Sequence, residues 1–394
     1  MDLRQGHVRF KAENAGVLEE TPQGGSVFTY LDGWSETIAC VLPIDNRQVS
    51  WSPGLHPVFQ NLGAEGWLRE QQARAGRVEE EDDFGLLLRY GEDCIGAISI
   101  TPIDNGKHLA EVQFDDDLAE AATGARRTIS GVQKKLLAWW DGNAYQAATN
   151  DSPATYIAKY APDTKPDLLR NEIFTLNLAQ EILGLDAVTH FERGNVEGIE
   201  GYALLVKRFD RTPRDEQLRM EDFAQILLKP RGLDFKGKYE SSYEEIAAAI
   251  SEHSARPLID LSRFFSAVVF NILIGNADSH LKNWSLLERP EGLRLAPQYD
   301  LLNTLIYGGE YDTRTALAIC GDKVQLDQVD RKLLEKFGAD IGLAPKAISL
   351  GLKELNKKFV KTDRLTPPPA EDPDGFVHRY VDVVRSACAR VLEP

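Results

Sequence analysis

Little in this chain of 394 residues would staple, anchor or export it. Its four cysteines, Cys40, Cys94, Cys320 and Cys388, are scattered, with no C-x-x-C pair and no histidine at zinc spacing. That excludes a disulfide framework or a zinc ribbon and reads as thiols in a reducing compartment. No apolar run approaches the ~18 residues of a membrane-crossing helix. The first thirty residues hold Arg4, Arg9 and Lys11 but no apolar core of the kind a secretory signal needs, so a cytoplasmic protein without membrane contact is expected. Positive charge is also scarce: 45 Lys and Arg stand against 61 Asp and Glu, a formal net charge of −16. Such a surface is repelled by phosphate backbones, which disfavours tight DNA binding by the chain alone and suits a basic partner. A Walker phosphate loop is missing as well. Gly91 and Gly96 have the required separation, but Ala97 stands where the lysine belongs.

What remains is ordinary globular composition, 43% hydrophobic and 27% charged, at a length that suits two or three domains of about 150 residues. Up to about residue 105 the chain reads as β-rich. Short apolar or alternating runs at 8–10, 25–30, 84–90 and 94–100 are split by Gly, Asp and Pro, and the last two are expected to form a hairpin through Gly91, Glu92 and Asp93. Residues 56–69 carry partly helical spacing, and the acidic run 79–83 is expected to be a solvated loop. From about 125 a strand, a turn at Asp141-Gly142-Asn143 and a second strand at 155–160 lead into a helix over 171–183, stopped by Gly184, and a strand over 202–209. After Arg211 the three-to-four-residue spacing of apolar positions predicts helices over 221–228, 242–253, 257–274, 331–337, 346–359 and 374–391. The Pro-rich 366–370 stretch is a connector.

The chemistry concentrates in 271–304, where apolar segments deliver polar groups to their ends. Asp278 and Asn283 are five residues apart and Asp300 lies seventeen beyond, at the end of a second short strand of an expected hairpin. Singly, such residues are turn and cap formers. Together they match the phosphoryl-transfer pattern, in which an Asp accepts the proton of the attacking hydroxyl while a following Asn and a second Asp hold Mg²⁺. His280 and Lys282 fall inside the same loop, and D-x-H-x-x-N order also occurs in small-molecule kinases. Upstream, residues 128–135 offer a single glycine, Gly131, among small hydroxyl residues, a loop whose N–H groups could approach an anion. Lys159 ends a strand where a kinase presents its phosphate-binding lysine, and Glu172 opens the next helix as a possible partner for it.

These segments, I-S-G-V-Q-K-K (129–135), Y-I-A-K (156–159), K-R-F-D-R (207–211), M-E-D-F-A-Q (220–225), I-G-N-A-D-S-H-L-K-N-W-S-L-L (274–287) and A-P-Q-Y-D-L-L-N-T (296–304), resemble the HipA family of Ser/Thr-kinase toxins of HipBA toxin–antitoxin modules. H-P-V-F-Q-N-L with Gly66 to Arg69 (56–69) resembles that family's N-terminal domain. The resemblance implies an α+β, bilobal, protein-kinase-like fold. It would divide into a β-rich N-terminal domain (1–110), a small lobe with the phosphate loop (111–206) and a mainly helical large lobe (207–394). It also implies ATP and Mg²⁺ as cofactors, Asp278 as catalytic base, and Asn283 and Asp300 as metal ligands. ATP would be met by Thr128, Ile129, Ser130, Gly131, Val132, Gln133, Lys135 and Lys159, by a hinge around 204–209 that includes Val206 and Phe209, and by His280 and Lys282. Autophosphorylation would fall on Thr128 or Ser130. The implied partners are a HipB-like helix-turn-helix antitoxin dimer, DNA only through that complex, and a protein substrate such as an aminoacyl-tRNA synthetase. Two rivals stay open: a small-molecule kinase of the antibiotic or choline type, and a non-catalytic corepressor partner.

Overall fold

Strict alternation of buried and less buried side chains in Gln5–Phe10 (β1) and Ser26–Tyr30 (β3) marks strands with one face on a core. With Glu13–Glu20 (β2), Gln48–Trp51 (β4) and Ile98–Pro102 (β5) they form an antiparallel sheet of order β4-β3-β2-β1-β5. Val8, Phe10, Leu18, Phe28 and Ile100 from its inner face pack with Val58 and Phe59 of the short helix Pro57–Gln60 (α1). The computed structural model describes residues 3–103, 116–129, 131, 133–162, 164–309, 311–366 and 372–393. Two compact units emerge: Met1–Leu169 with His190–Gly237, and Arg170–Thr189 with Lys238–Pro394.

Helices Gly66–Gly76 (α2) and Asp83–Tyr90 (α3) complete the first part of unit 1. The second of these corrects the strand and hairpin expected at 84–100. Phe84 and Leu87 face the sheet core, while Leu86 and Tyr90 pack on Ala73 in a separate cluster. A helix buried on two sides reads as a continuous apolar run, which periodicity cannot tell from a buried strand. The deciding features are the Asp82 carboxylate, which accepts the Gly85 N–H at 2.9 Å as N-cap, and the stop at Gly91. The acidic run is not simply solvated either. Asp82 pairs with Arg4, and Asp83 accepts from Arg69 and Gln60, each at 2.6 Å.

The second sheet of unit 1 has order β7-β6-β8-β10-β9, from Lys135–Trp140 (β6), Tyr145–Ala147 (β7), Tyr156–Lys159 (β8), Phe191–Gly194 (β9) and Ala203–Lys207 (β10). Asp141 closes the β6–β7 turn by accepting the N–H groups of Asn143 and Ala144. The Asp116-capped helix Asp117–Thr123 (α4) adds Leu118 to the core under this sheet.

In unit 2 the helical spacing is realised in Leu168–Leu183 (α5, all but its first two residues), Tyr243–His253 (α7), Pro257–Leu273 (α8), Arg331–Asp340 (α9), Pro345–Lys361 (α10) and Phe376–Val391 (α11). The helix expected over 221–228 shrinks to one turn, Phe223–Ile226 (α6), in unit 1 after the strand Met220–Asp222 (β11). Its Asp222–Gln225 capping box starts it well, but Leu228 turns to φ 52 and Pro230 follows, so it cannot propagate. The core of unit 2 is aromatic. Phe264 of α8 meets Trp284 with ring centroids 4.8 Å apart, and Phe265 stacks on Phe337 of α9. Among the described residues no helix is long and apolar enough to cross a membrane.

Candidate functional site

Helix α8 delivers the site. Its last turn is extended by a relay of side-chain amides: Asn271 donates to the Ala267 carbonyl, Asn276 donates to Asn271 at 2.7 Å, and Asn276 Oδ1 accepts the Asp278 N–H at 3.0 Å. Gly275 makes the sharp exit possible. Its φ is +72°, and a Cβ there would stand 2.8 Å from Val383 and 3.0 Å from Asn303 Oδ1. Asn283 then donates its Nδ2 to the Asp278 carbonyl at 2.9 Å. This uses the amide's donor and leaves its oxygen, a hard donor of the kind Mg²⁺ prefers, outside that bond. The phenol of Tyr239 donates to Asp278 Oδ1 at 2.6 Å, and its ring meets His280 edge-on at 5.0 Å. His280 and Lys282 are buried in this loop, and the Lys282 carbonyl accepts from the Tyr299 hydroxyl at 2.9 Å.

The hairpin strands are Ser285–Arg289 (β12) and Gly292–Leu295 (β13). The second strand therefore stops five residues before Asp300 instead of ending on it. Pro297 cannot donate to a ladder, and Gln298 leaves the hairpin to bridge Val188, with Thr189 N–H to Gln298 O at 2.9 Å. Asp300 follows at φ 52, a left-handed conformation that costs a non-glycine residue about 1–3 kcal/mol and clusters at functional sites. Thr304 sews this segment to the Asp278 loop: its N–H and hydroxyl both donate to the Gly275 carbonyl at 3.0 Å, and its Oγ1 accepts the Ala277 N–H at 2.9 Å. Asn171 of α5 braces the same segment through both backbone groups of Asn303. The Asp278–Asn283 loop is thus hydrogen-bonded to the segment that follows Asp300. Glu172 is buried on α5.

In unit 1, Thr128 and Ile129 are buried anchors of the proposed phosphate loop. The Thr128 N–H donates to the Asp93 carbonyl, its hydroxyl approaches Gln72 at 3.5 Å, and Ile129 packs with Ala64, Leu68 and Leu137. Ser130 and Val132 lie outside the described residues. Gly131 has φ +109°, and a Cβ there would sit 2.2 Å from the Lys135 ammonium. Gln133 Nε2 is buried without a hydrogen-bond partner among the described residues. Lys135 and Lys159, both buried, face each other across the β6–β8 ladder. Two ammonium groups at opposed positions need negative charge nearby, from protein or ligand. A glycine cradle under a lysine, an orphaned donor and opposed lysines fit a polyphosphate, as Asn283 and Asp300 fit Mg²⁺.

The expected hinge is β10 and its exit. Val206 is buried between Ile157 and Phe191, and Phe209 is half-buried. Sequence reasoning missed the buried ion cluster just beyond it. Arg208 and Arg211 both bind Asp210 at 2.8 Å, and between them reach Asp93 and the carbonyls of Cys94 and Gly96. Burial pushes the Asp210 carboxyl up, but the two guanidiniums outweigh it and hold its pKa at about 2. The M-E-D-F-A-Q stretch is structural in the same way, since Glu221 accepts the Cys40 N–H at 2.8 Å and Gln225 donates to the Val58 carbonyl at 2.7 Å. The runs of charge in K-R-F-D-R were the available signal.

Family models match across this frame: the HipA N-terminal domain over residues 6–101 and the HipA-like C-terminal domain over 127–362. The chain belongs to the HipA family. Among its HipA-like relatives, a putative kinase Y4dM of Sinorhizobium fredii is 32% identical over 78% of each chain. The serine/threonine-protein kinase toxin HipA of Shewanella oneidensis is 26% identical, covering 80% of this chain and 78% of its own. The HipA structure solved with HipB and operator DNA, also from Shewanella oneidensis, superposes with a TM-score of 0.73 at 22% identity, over 98% of this chain and 97% of that one. The expected α+β fold is therefore that of HipA, and the resemblance read from the motifs holds.

Proposed function

We propose that this protein is an ATP- and Mg²⁺-dependent protein Ser/Thr kinase acting as the toxin of a toxin–antitoxin pair. The observation that carries this is the Asp278–Asn283 loop, built by the amide relay and tied by Thr304 to the segment that follows Asp300. Asp278 accepts the proton of the incoming hydroxyl, while Asn283 and Asp300 hold the metal. Bound Mg²⁺ supplies charge neutralisation for the transferring phosphoryl group. Lys135, Lys159 and the 128–135 loop hold the phosphates, Val206 and Phe209 meet the base, and His280 and Lys282 of the catalytic loop also meet the nucleotide. In functional terms residues 1–110 serve as an accessory domain, 111–206 as the nucleotide-binding part and 207–394 as the catalytic part.

Autophosphorylation falls on Thr128 or Ser130, and the 2% exposure of Thr128 supports Ser130. A phosphate there adds roughly −1.5 to −2 charges to the loop that must accept ATP, which inactivates the kinase. The net charge of −16 and the HipB partner of the Shewanella protein support a basic, HipB-like antitoxin dimer through which DNA is reached. We place the chain in the cytoplasm, with a translation component such as an aminoacyl-tRNA synthetase as substrate. The test is a phosphoproteome after induced expression, compared with Asp278→Asn. New phosphoserine or phosphothreonine on host protein in the wild type alone supports the reading. Phosphate accumulating on a metabolite would instead indicate a small-molecule kinase, and none anywhere a non-catalytic partner.

A further inference from the structure

We infer that Tyr239 is the positioning residue for the Asp278 carboxylate, a role that rests on the kinase reading above. A catalytic base must present one oxygen in a defined direction, and misplacement by about 1 Å can cost a hundredfold in rate. The backbone of Asp278 is held on both sides, its N–H by Asn276 and its carbonyl by Asn283. Those bonds leave the carboxylate free to rotate. The Tyr239 hydroxyl removes that freedom: it donates to Oδ1 at 2.6 Å and leaves Oδ2 to receive the substrate proton.

The phenol is itself held. Its ring lies edge-on to His280 with an interplanar angle of 81°, and the ammonium groups of Lys323 and Lys238 stand 5.4 and 5.7 Å from its centre. Two residues on, the chain is pinned by the Ala318 N–H to Ser241 O and the Tyr243 N–H to Ala318 O, both 3.0 Å. Ser242 then caps α7 through a capping box with Glu245. A tyrosine so fixed orients its partner permanently. A hydroxyl that merely stood in for the substrate would have to leave before each turnover, and these contacts oppose its leaving.

Tyr239→Phe deletes the O–H while keeping the ring contacts. The experiment follows phosphate transfer from labelled Mg-ATP to protein in a bacterial lysate at graded ATP, with wild type, Tyr239→Phe and Asp278→Asn as full chains. Thermal midpoints of all three are recorded. The expected result is a kcat lowered by about tenfold to a hundredfold in Tyr239→Phe, with the half-saturating ATP concentration and the midpoint unchanged. A wild-type kcat in Tyr239→Phe overturns the inference. A faster variant also overturns it, since the phenol would then be blocking the substrate's place. A loss shared by kcat, ATP affinity and midpoint overturns it in favour of a merely structural tyrosine. An Asp278→Asn protein as active as wild type would instead remove the kinase reading, and with it the base that Tyr239 positions.

Discussion

At the scale of the residue, the acid groups of the site differ in what they can lose. The backbone of Asp278 is fixed by the Asn276 and Asn283 side chains, and Thr304 ties its loop to the segment after Asp300, so the loop does not depend on either carboxylate's charge. Replacing either by Asn should therefore leave the thermal midpoint within a degree or two while lowering transfer by at least about a thousandfold, because positioning and electrostatics supply most of the catalysis in phosphoryl transfer. Calorimetry and a transfer assay on the same preparations check both halves. Gly131 is the opposite case, since its φ of +109° strains any side chain and a Cβ there would displace the Lys135 ammonium. Gly131→Ala should raise the half-saturating ATP concentration by at least about tenfold, the effect of roughly 1.4 kcal/mol of loop strain. Titration with Mg-ATP would show it, and unchanged affinity would mean that this loop does not cradle phosphate.

At the scale of the element, two buried ion clusters join pieces that the sequence alone shows as separate. Asp260 on α8 is fully buried and accepts from Arg294 Nε and Nη2, both at 2.9 Å, from the Leu295 N–H and from the Ser254 hydroxyl, so it fastens the β12–β13 hairpin to α8. Burial pushes its carboxyl up, but Arg294 and Ser254 hold it below the ordinary range. Asp260→Ala should destabilise unit 2 by about 3–5 kcal/mol, the usual effect of stranding a buried partner charge. Urea titration at neutral pH would measure it. Asp210 behaves in the same sense in unit 1. Its folded pKa is depressed to about 2, so its contribution is fully present above the ordinary carboxylate pKa and is lost as the pH falls towards 2. Asp210→Asn should accordingly be less stable at neutral pH and lose less further stability between about pH 4 and pH 2 than wild type.

These clusters also mark where sequence reading stopped. Helices α7 to α10 were legible because each carries its own start signal, Ser242, Pro257, Asp330 and Pro345 in turn. Helix α3 was not, because clusters on two sides erase the stripe. Asp278, Asn283 and Asp300 were found by spacing. Tyr239 was not, because 39 residues separate it from the carboxylate it touches and no local pattern announces the contact.

At the scale of the whole molecule, an acidic chain with 61 Asp and Glu against 45 Lys and Arg should not hold a DNA duplex near physiological salt. A basic antitoxin dimer should bind it, more weakly as salt rises through the range where the Debye length shrinks below about 10 Å. Gel-shift titrations of the chain alone, the dimer alone and the complex would separate these cases. Tight duplex binding by the chain alone would contradict the assignment of DNA contact to the partner. The central claim is that the Asp278–Asn283–Asp300 set transfers phosphate to protein. The most direct measurement is the rate at which purified full-length wild type, Asp278→Asn and Asp300→Asn move labelled γ-phosphate from Mg-ATP to protein hydroxyls, with and without chelator. Transfer by the wild type only, abolished by chelation, is the expected result, and equal transfer by either variant would contradict the assignment.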